Sequence, residues 1–193
     1  MKKEIEVKIR LENKKETQKR LLELGCSIKG LDFQRQYRIR QESLELFNRG
    51  IFPRVRENNT GKGTFTIKVK TSKVDDSEMA YFERDEYEVE ISDGKELAKM
   101  LDLLGFSDQQ IMEKYRQTWN VFDSNVDIII DSLPFGDYLE IEGGKKEIEK
   151  MLKNLDLQEF PRETTAYWIV YENYCKKNGL SKKRNLIFGQ ENL

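Results

Sequence analysis

Glu4-Ile5-Glu6-Val7-Lys8 alternates charged and apolar residues without a break, and the way this stretch is read decides the fold. In an extended strand the side chains at i and i+2 share one face, about 6.6 Å apart along it. Glu4, Glu6 and Lys8 therefore stand on one side of a strand, with Ile5 and Val7 on the other. The rule returns at Tyr37-Arg38-Ile39-Arg40, Arg54-Val55-Arg56, Thr66-Ile67-Lys68-Val69-Lys70, Glu86-Tyr87-Glu88-Val89-Glu90, Lys114-Tyr115-Arg116 and Leu139-Glu140-Ile141-Glu142. For one strand alone, the plain expectation is an apolar face on the core and a charged face in water. The set of strands argues otherwise, because the signs are sorted. Acids occupy 4–6, 86–90 and 140–142, and bases occupy 54–56, 68–70 and 114–116.

A solvated surface has no need of such sorting. If the strands close on themselves, the same alternation turns charges inward and apolar residues outward, where amphipathic helices can cover them. The predicted fold is therefore α+β: an antiparallel β-barrel forming a tunnel with a charged interior and flanking α-helices. Unmatched charges in such an interior would be costly. A polyanion together with a cation removes the conflict. Carboxylates suit hard divalent ions such as Mg²⁺ or Mn²⁺, and Lys and Arg suit phosphate oxygens, Arg in a bidentate way.

Leucines at helical spacing predict helices near 14–25, 95–105 and 145–155, with an aromatic helix near 164–178. Gly25 and Gly105 read as the residues that end two of them. Residues 57–64, with Gly61-Lys62-Gly63-Thr64 as a hairpin turn, and 72–80 read as loops. Three Glu-rich strands are each followed by a Leu-rich helix, a weak internal repeat. One domain is expected over 1–179, with an unassigned C-terminal tail at 180–193. Tyr167, Trp168, Tyr171 and Tyr174 fall at helical spacing, which predicts packing rather than a base-stacking platform.

Composition narrows the chemistry. Lys plus Arg total 34 against 35 for Asp plus Glu, so no general affinity for nucleic acid is implied. No apolar stretch has the length of a signal peptide or membrane span, so a soluble, cytoplasmic protein is expected, without a membrane partner. Cys26 and Cys175 are far apart and outside any CxxC spacing, which predicts ordinary thiols. Histidine is absent, which removes Ser-His-Asp and Cys-His catalysis. The Gly61 segment lacks the earlier glycine and the strand-to-helix setting of a P-loop.

Taken in order, these motifs resemble the CYTH domain, or triphosphate tunnel metalloenzyme, family. Glu4-x-Glu6-x-Lys8 is similar to its ExExK strand, and Leu46 through Arg56 to the approach to its RxR strand. Thr66-Ile67-Lys68 is similar to TxK, Arg84-x-Glu86-x-Glu88 to RxExE, and Lys114-x-Arg116 to KxR. Asp131, then Gly136, then Glu140-x-Glu142 resembles the late acidic strand. The similarity runs from about 4 to 171. It implies Glu4, Glu6, Asp131, Glu140 and Glu142 as ligands of Mg²⁺ or Mn²⁺. It implies Lys8, Arg54, Arg56, Lys68, Arg84, Lys114 and Arg116 as the grip on a triphosphate, with Glu4, Glu6, Lys8 and Lys68 as the catalytic group. Glu86 and Glu88 would bind metal or position bases, and Glu90 would be structural.

Three functions follow from the resemblance. One is metal-dependent hydrolysis of tripolyphosphate, a nucleoside triphosphate or thiamine triphosphate. Another is the class IV adenylate cyclase reaction, giving cyclic AMP and pyrophosphate from ATP. The third is a non-catalytic polyphosphate or nucleotide-binding module. The partner in each case is a triphosphate-containing small molecule, and a homodimer is compatible with all three.

Overall fold

A computed structural model of the chain describes residues 2–71, 81–122 and 125–189. The loop expected at 72–80 and the last four residues of the 180–193 tail lie outside the described residues. Nine strands form one antiparallel sheet: β1 (Lys2–Leu11), β2 (Ser27–Arg38), β3 (Ile51–Asn58), β4 (Gly63–Lys70), β5 (Phe82–Ile91), β6 (Gln110–Asn120), β7 (Asp127–Leu133), β8 (Gly136–Glu142) and β9 (Arg162–Glu163). Their order is β5-β4-β3-β2-β6-β7-β8-β1-β9, and β5 also pairs with β1. That extra pairing closes eight strands into a ring, less regular than an ideal barrel, with β9 as a two-residue flank on β1 at Lys8 and Ile9.

Parity along β1 shows which way the ring turns its faces. Val7, Ile9 and Leu11 are buried with Ile128, Ile130, Leu139 and Ile141 against Leu21 of α1 (Lys14–Glu23) and Ile148, Met151 and Leu152 of α4 (Lys145–Asn154). The odd positions of β1 thus face outward under two helices. Each such aliphatic side chain contributes about 1.5–3 kcal/mol relative to exposure. Glu4, Glu6 and Lys8, on the opposite face, are just as buried. Charge lies inside and hydrocarbon outside, as the alternation predicts.

A second outer cluster sets Tyr37, Ile39 and Val55 against Ala98 of α3 (Gly94–Leu103). Tyr138, Met112 and Leu133 gather with Phe135 against Tyr167, Trp168 and Tyr171 of α5 (Tyr167–Asn178). α1 and α3 begin where Asn13 and Asp93 accept from the backbone N–H three residues on, and Gly25 and Gly105, at φ +78° and +92°, follow their last turns. A short α2 (Glu45–Asn48) leads into β3.

Several strand ends run past the sequence expectation. β3 reaches Asn58 and β4 begins at Gly63, so the expected 57–64 loop shrinks to a tight turn. A side chain on Gly63 would meet the Arg56 carbonyl oxygen at 1.8 Å, so only glycine lets the two strands approach there. The unassigned tail also has a defined place. Leu186 is buried and bridges Met112 in parallel, Glu113 N donates to Leu186 O at 2.8 Å, and Leu186 N donates to Ile111 O at 2.8 Å. Pairing of β6 with β7 spans only Tyr115–Trp119, and the tail occupies the part of β6 before it. Cys26 and Cys175 are free, buried thiols. Among the described residues no helix is long and apolar enough to cross a membrane.

Candidate active site

The ring brings the residues singled out from sequence onto one inner face. β1 supplies Glu4, Glu6 and Lys8, β3 supplies Arg54 and Arg56, and β4 supplies Lys68. Arg84 comes from β5, Lys114 and Arg116 from β6, Asp131 from β7, and Glu140 and Glu142 from β8. Register places Glu6 opposite Glu142 and Lys8 opposite Glu140, with Arg84 opposite Glu4. Several ion pairs reach over an intervening strand. Lys68 Nζ of β4 donates to both Glu4 oxygens of β1, at 2.5 and 2.6 Å, across β5. Arg116 Nη2 of β6 donates to Glu140 of β8 at 2.6 Å across β7, and Arg54 of β3 meets Glu86 of β5 at 3.3 Å across β4. Strands two apart are nearly 10 Å from each other in a flat sheet. Strong curvature is what lets these side chains meet.

Asp131 is the most enclosed of the acids, with no solvent exposure. It accepts from Lys114 Nζ at 2.7 Å, from Arg116 Nε at 2.8 Å and from Arg116 Nη2 at 2.5 Å. Its immediate role is to hold two bases. Lys8 is paired with Glu6. Arg56 lies 3.4 Å from Glu88, which also accepts from Thr66 Oγ1 at 2.8 Å. Glu86 and Glu88 thus position bases, while Glu90 sits exposed opposite Thr64.

Burial pushes the Glu4 carboxyl up, but Lys68, Arg54 and Lys8 outweigh it and hold it below the ordinary value. Glu6 goes the other way: burial, with Glu140 and Glu4 as like charges, overcomes Lys8 and raises it. Burial also opposes ionisation of Glu140, yet Arg116 and Lys114 keep it well below the usual range. Lys114 is pulled down to about 8 by burial and then by Arg116, against Asp131 and Glu140. Arg56 falls to about 10, again through burial and then Arg54 and Arg116. One acid, Glu6, responds to two of its own kind and two bases to theirs, so the interior is crowded with like charge as well as paired.

That crowding bears on a cation. Glu4, Glu6 and Glu140 are buried hard oxygen donors close enough to repel one another, a donor set suited to a divalent ion with oxygen preference. As they stand, each accepts from a lysine or arginine, and among the described residues no three acidic or thiol groups surround a common point. The carboxylates fit such an ion in kind, and to hold it they would have to exchange their basic partners for it.

Two residues of the site are not among those the sequence reading assigned to it. Phe82, on the inner face of β5, has Arg84 Cζ at 4.2 Å, Lys8 Nζ at 4.5 Å and Lys68 Nζ at 5.6 Å from its ring centroid, so one phenyl ring steadies three cations. Its position two residues before Arg84 was the available cue. Tyr167, expected to pack, has Lys8 and Lys114 Nζ at 5.7 and 5.6 Å from its ring.

Residues 2–163 match the CYTH domain family. Among solved structures, a Pyrococcus horikoshii protein is 27% identical, with a TM-score of 0.67 over 85% of this chain and 96% of its own. A proposed adenylate cyclase from Vibrio parahaemolyticus is 16% identical, with a TM-score of 0.71 over 88% of this chain and 97% of its own. A proposed adenylyl cyclase from Hippeastrum, described as having a dominant triphosphatase activity, is 14% identical, with a TM-score of 0.60 over 95% and 100%. The last two likenesses concern the fold. Among curated proteins no match is found.

Proposed function

The chain belongs to the CYTH domain family, and from that premise we propose that it is a divalent-metal-dependent enzyme that hydrolyses a triphosphate: tripolyphosphate, a nucleoside triphosphate or thiamine triphosphate. One observation carries the reading. Buried acids and buried bases line a single closed inner face, each acid held by a base that a polyanion would also attract. A triphosphate offers oxygens to Lys8, Arg54, Arg56, Lys68, Arg84, Lys114 and Arg116. With Lys68 and Lys8 turned to those oxygens, Glu4 and Glu6 would be freed and, with Glu140 and Glu142, would hold Mg²⁺ or Mn²⁺. The bound ion supplies charge neutralisation on the phosphate oxygens and Lewis acidity at phosphorus.

Within that arrangement Asp131 fixes Lys114 and Arg116, and Phe82 fixes Lys8, Lys68 and Arg84, so the bases are set before substrate arrives. A water in line with the scissile bond would be oriented by a carboxylate of the inner face. Cyclisation needs the ribose 3′-oxygen aligned with the α-phosphorus as well, and nothing in the sequence identifies a grip on that sugar. The triphosphatase activity named for the Hippeastrum structure supports the same preference.

Incubation with tripolyphosphate, ATP and thiamine triphosphate under Mg²⁺ or Mn²⁺, with products separated by chromatography, tests the proposal. Phosphate release is expected to exceed cyclic AMP formation. ATP converted mainly to cyclic AMP and pyrophosphate, with tripolyphosphate left intact, would put the cyclase reaction in its place. Tight binding without turnover would leave a binding module.

A further inference from the structure

Tyr167 opens α5, and its buried side chain enters the charged interior rather than the surrounding hydrocarbon alone. Lys8 and Lys114 approach its ring at 5.7 and 5.6 Å, and Tyr138 packs edge-on at 5.3 Å. The charges of Glu140, Asp131, Arg116 and Glu6 all act on the phenol. Its hydroxyl is buried and has no hydrogen-bond partner among the described residues. Buried polar groups in folded proteins are nearly always paired, so an unpaired one amid a binding surface marks a contact that a ligand completes.

Neighbouring aromatics give the comparison. Tyr138 Oη and Trp168 Nε1 are unpaired too, but each of their rings meets a single arginine, Arg10 and Arg38, at 5.9 Å. Tyr171, one turn along the helix, has the ordinary arrangement, its hydroxyl accepting from Lys183 N at 3.1 Å. Tyr167 alone of these joins an unpaired hydroxyl to two ammonium groups. Burial, then Glu140 and Asp131, pushes its phenol well above the ordinary value, so it stays protonated and offers a donor.

We propose that the Tyr167 hydroxyl donates a hydrogen bond to a phosphoryl oxygen of the substrate that Lys8 and Lys114 hold beside its ring. The inference rests on the triphosphate reading above. A phosphoryl group suits the three donors because its oxygens accept several charge-assisted hydrogen bonds at once. A neutral sugar or base edge would offer neither lysine an anionic acceptor. Tyr167 is then a substrate-contacting residue, and the fold tolerates its unpaired hydroxyl because the bound state uses it.

Tyr167→Phe keeps the ring and its packing and removes one oxygen. Calorimetric titration with sodium tripolyphosphate, first in EDTA and then in Mg²⁺, is expected to give a dissociation constant about tenfold higher or more. The thermal midpoint should hold or rise, because a buried unpaired oxygen has gone. Equal affinity in wild type and variant overturns the proposal and leaves the triphosphate reading standing. A wild type that binds neither tripolyphosphate nor ATP overturns both. If the variant does not fold, wild-type protein carrying ζ-¹³C tyrosine decides. Its Tyr167 resonance should move on addition of tripolyphosphate by more than that of Tyr174, and an unmoved Tyr167 resonance overturns the inference.

Discussion

The wall made by β1, β8, β7 and β6 and the wall made by β3, β4 and β5 obey one alternation rule, yet their inner charges live in different surroundings. On the first wall Glu4, Glu6, Lys8, Lys114, Asp131 and Glu140 are all buried, and Asp131 and Glu140 accept hydrogen bonds of 2.5–2.8 Å. On the second, Arg54 and Arg56 meet Glu86 and Glu88 at 3.3–3.4 Å, and the Glu88 side chain is 39% exposed. The outer faces explain the contrast. Val7 of β1 lies under helices with no exposure, whereas on the second wall α3 covers Val55 of β3 but leaves Val89 of β5 58% exposed. Asp131, on a strand pressed from outside, holds Lys114 and Arg116 closely, whereas Glu86 and Glu88, on the barer β5, meet their arginines at longer range and have room to change partners. The first wall acts as a rigid frame for acids and the second as an adaptable grip.

Breaking the frame should have the largest effect. Asp131→Asn leaves Lys114 and Arg116 buried without their counter-charge and should cost about 3–5 kcal/mol of stability. Glu88→Gln on the adaptable wall should cost less than about 1 kcal/mol. Urea unfolding of both variants checks this, and similar losses would erase the distinction between the walls. Next comes the chemistry: Glu4→Gln or Glu142→Gln should lower turnover by about 100-fold or more. Mn²⁺ titration followed by electron spin resonance should weaken in parallel, and undiminished turnover and Mn²⁺ affinity would remove these residues from the site.

A smaller effect is expected on the grip. Arg56→Ala or Lys68→Ala should weaken tripolyphosphate binding about tenfold and monophosphate binding far less, because each base meets its own oxygen along the chain. Equal, slight losses in calorimetry would return both residues to a solvent-facing role.

The smallest effect is a pH dependence at Lys114, whose pKa burial and Arg116 bring down to about 8. The unfolded lysine titrates near 10.4, so between those values the unfolded chain carries more protons. This site's contribution to stability therefore rises with pH from about 8 to about 10 and is flat below 8, where both states are protonated. Binding runs the other way, since a neutral Lys114 loses its attraction for phosphate above pH 8. Lys114→Met should flatten both profiles, and profiles that keep their slopes would assign them to other groups.

Much of this was legible in the residues. Period two in Glu4-Ile5-Glu6-Val7-Lys8 is a local property of a strand, and the sorting of signs among strands already implied closure, because only a ring brings distant acids and bases together. The difference between the walls was hidden, because Val7 and Val89 sit in the same local pattern and only tertiary cover separates them. Phe82 and Tyr167 escaped for a related reason: an aromatic at strand or helix spacing looks like core until its neighbours are known to be lysines. Residues 185–188 carry no periodicity long enough to announce a strand, and they pair because β6 has backbone groups open before Tyr115.

The pairing of β1 also governs how the protein comes into being. Lys2–Leu11 is synthesised well before its partners, which are Phe82–Glu86 at one end and Asp137–Glu142 and Arg162–Glu163 along the rest. Loop closure over such separations makes folding slow, in the manner of proteins dominated by distant contacts. Throughout synthesis this strand waits with both edges unpaired, the condition in which apolar strands join neighbouring chains. Glu4, Glu6 and Lys8 interrupt it at every second position, and charge so placed resists that fate. The carboxylates proposed as metal ligands are thus also placed to guard the nascent chain against aggregation.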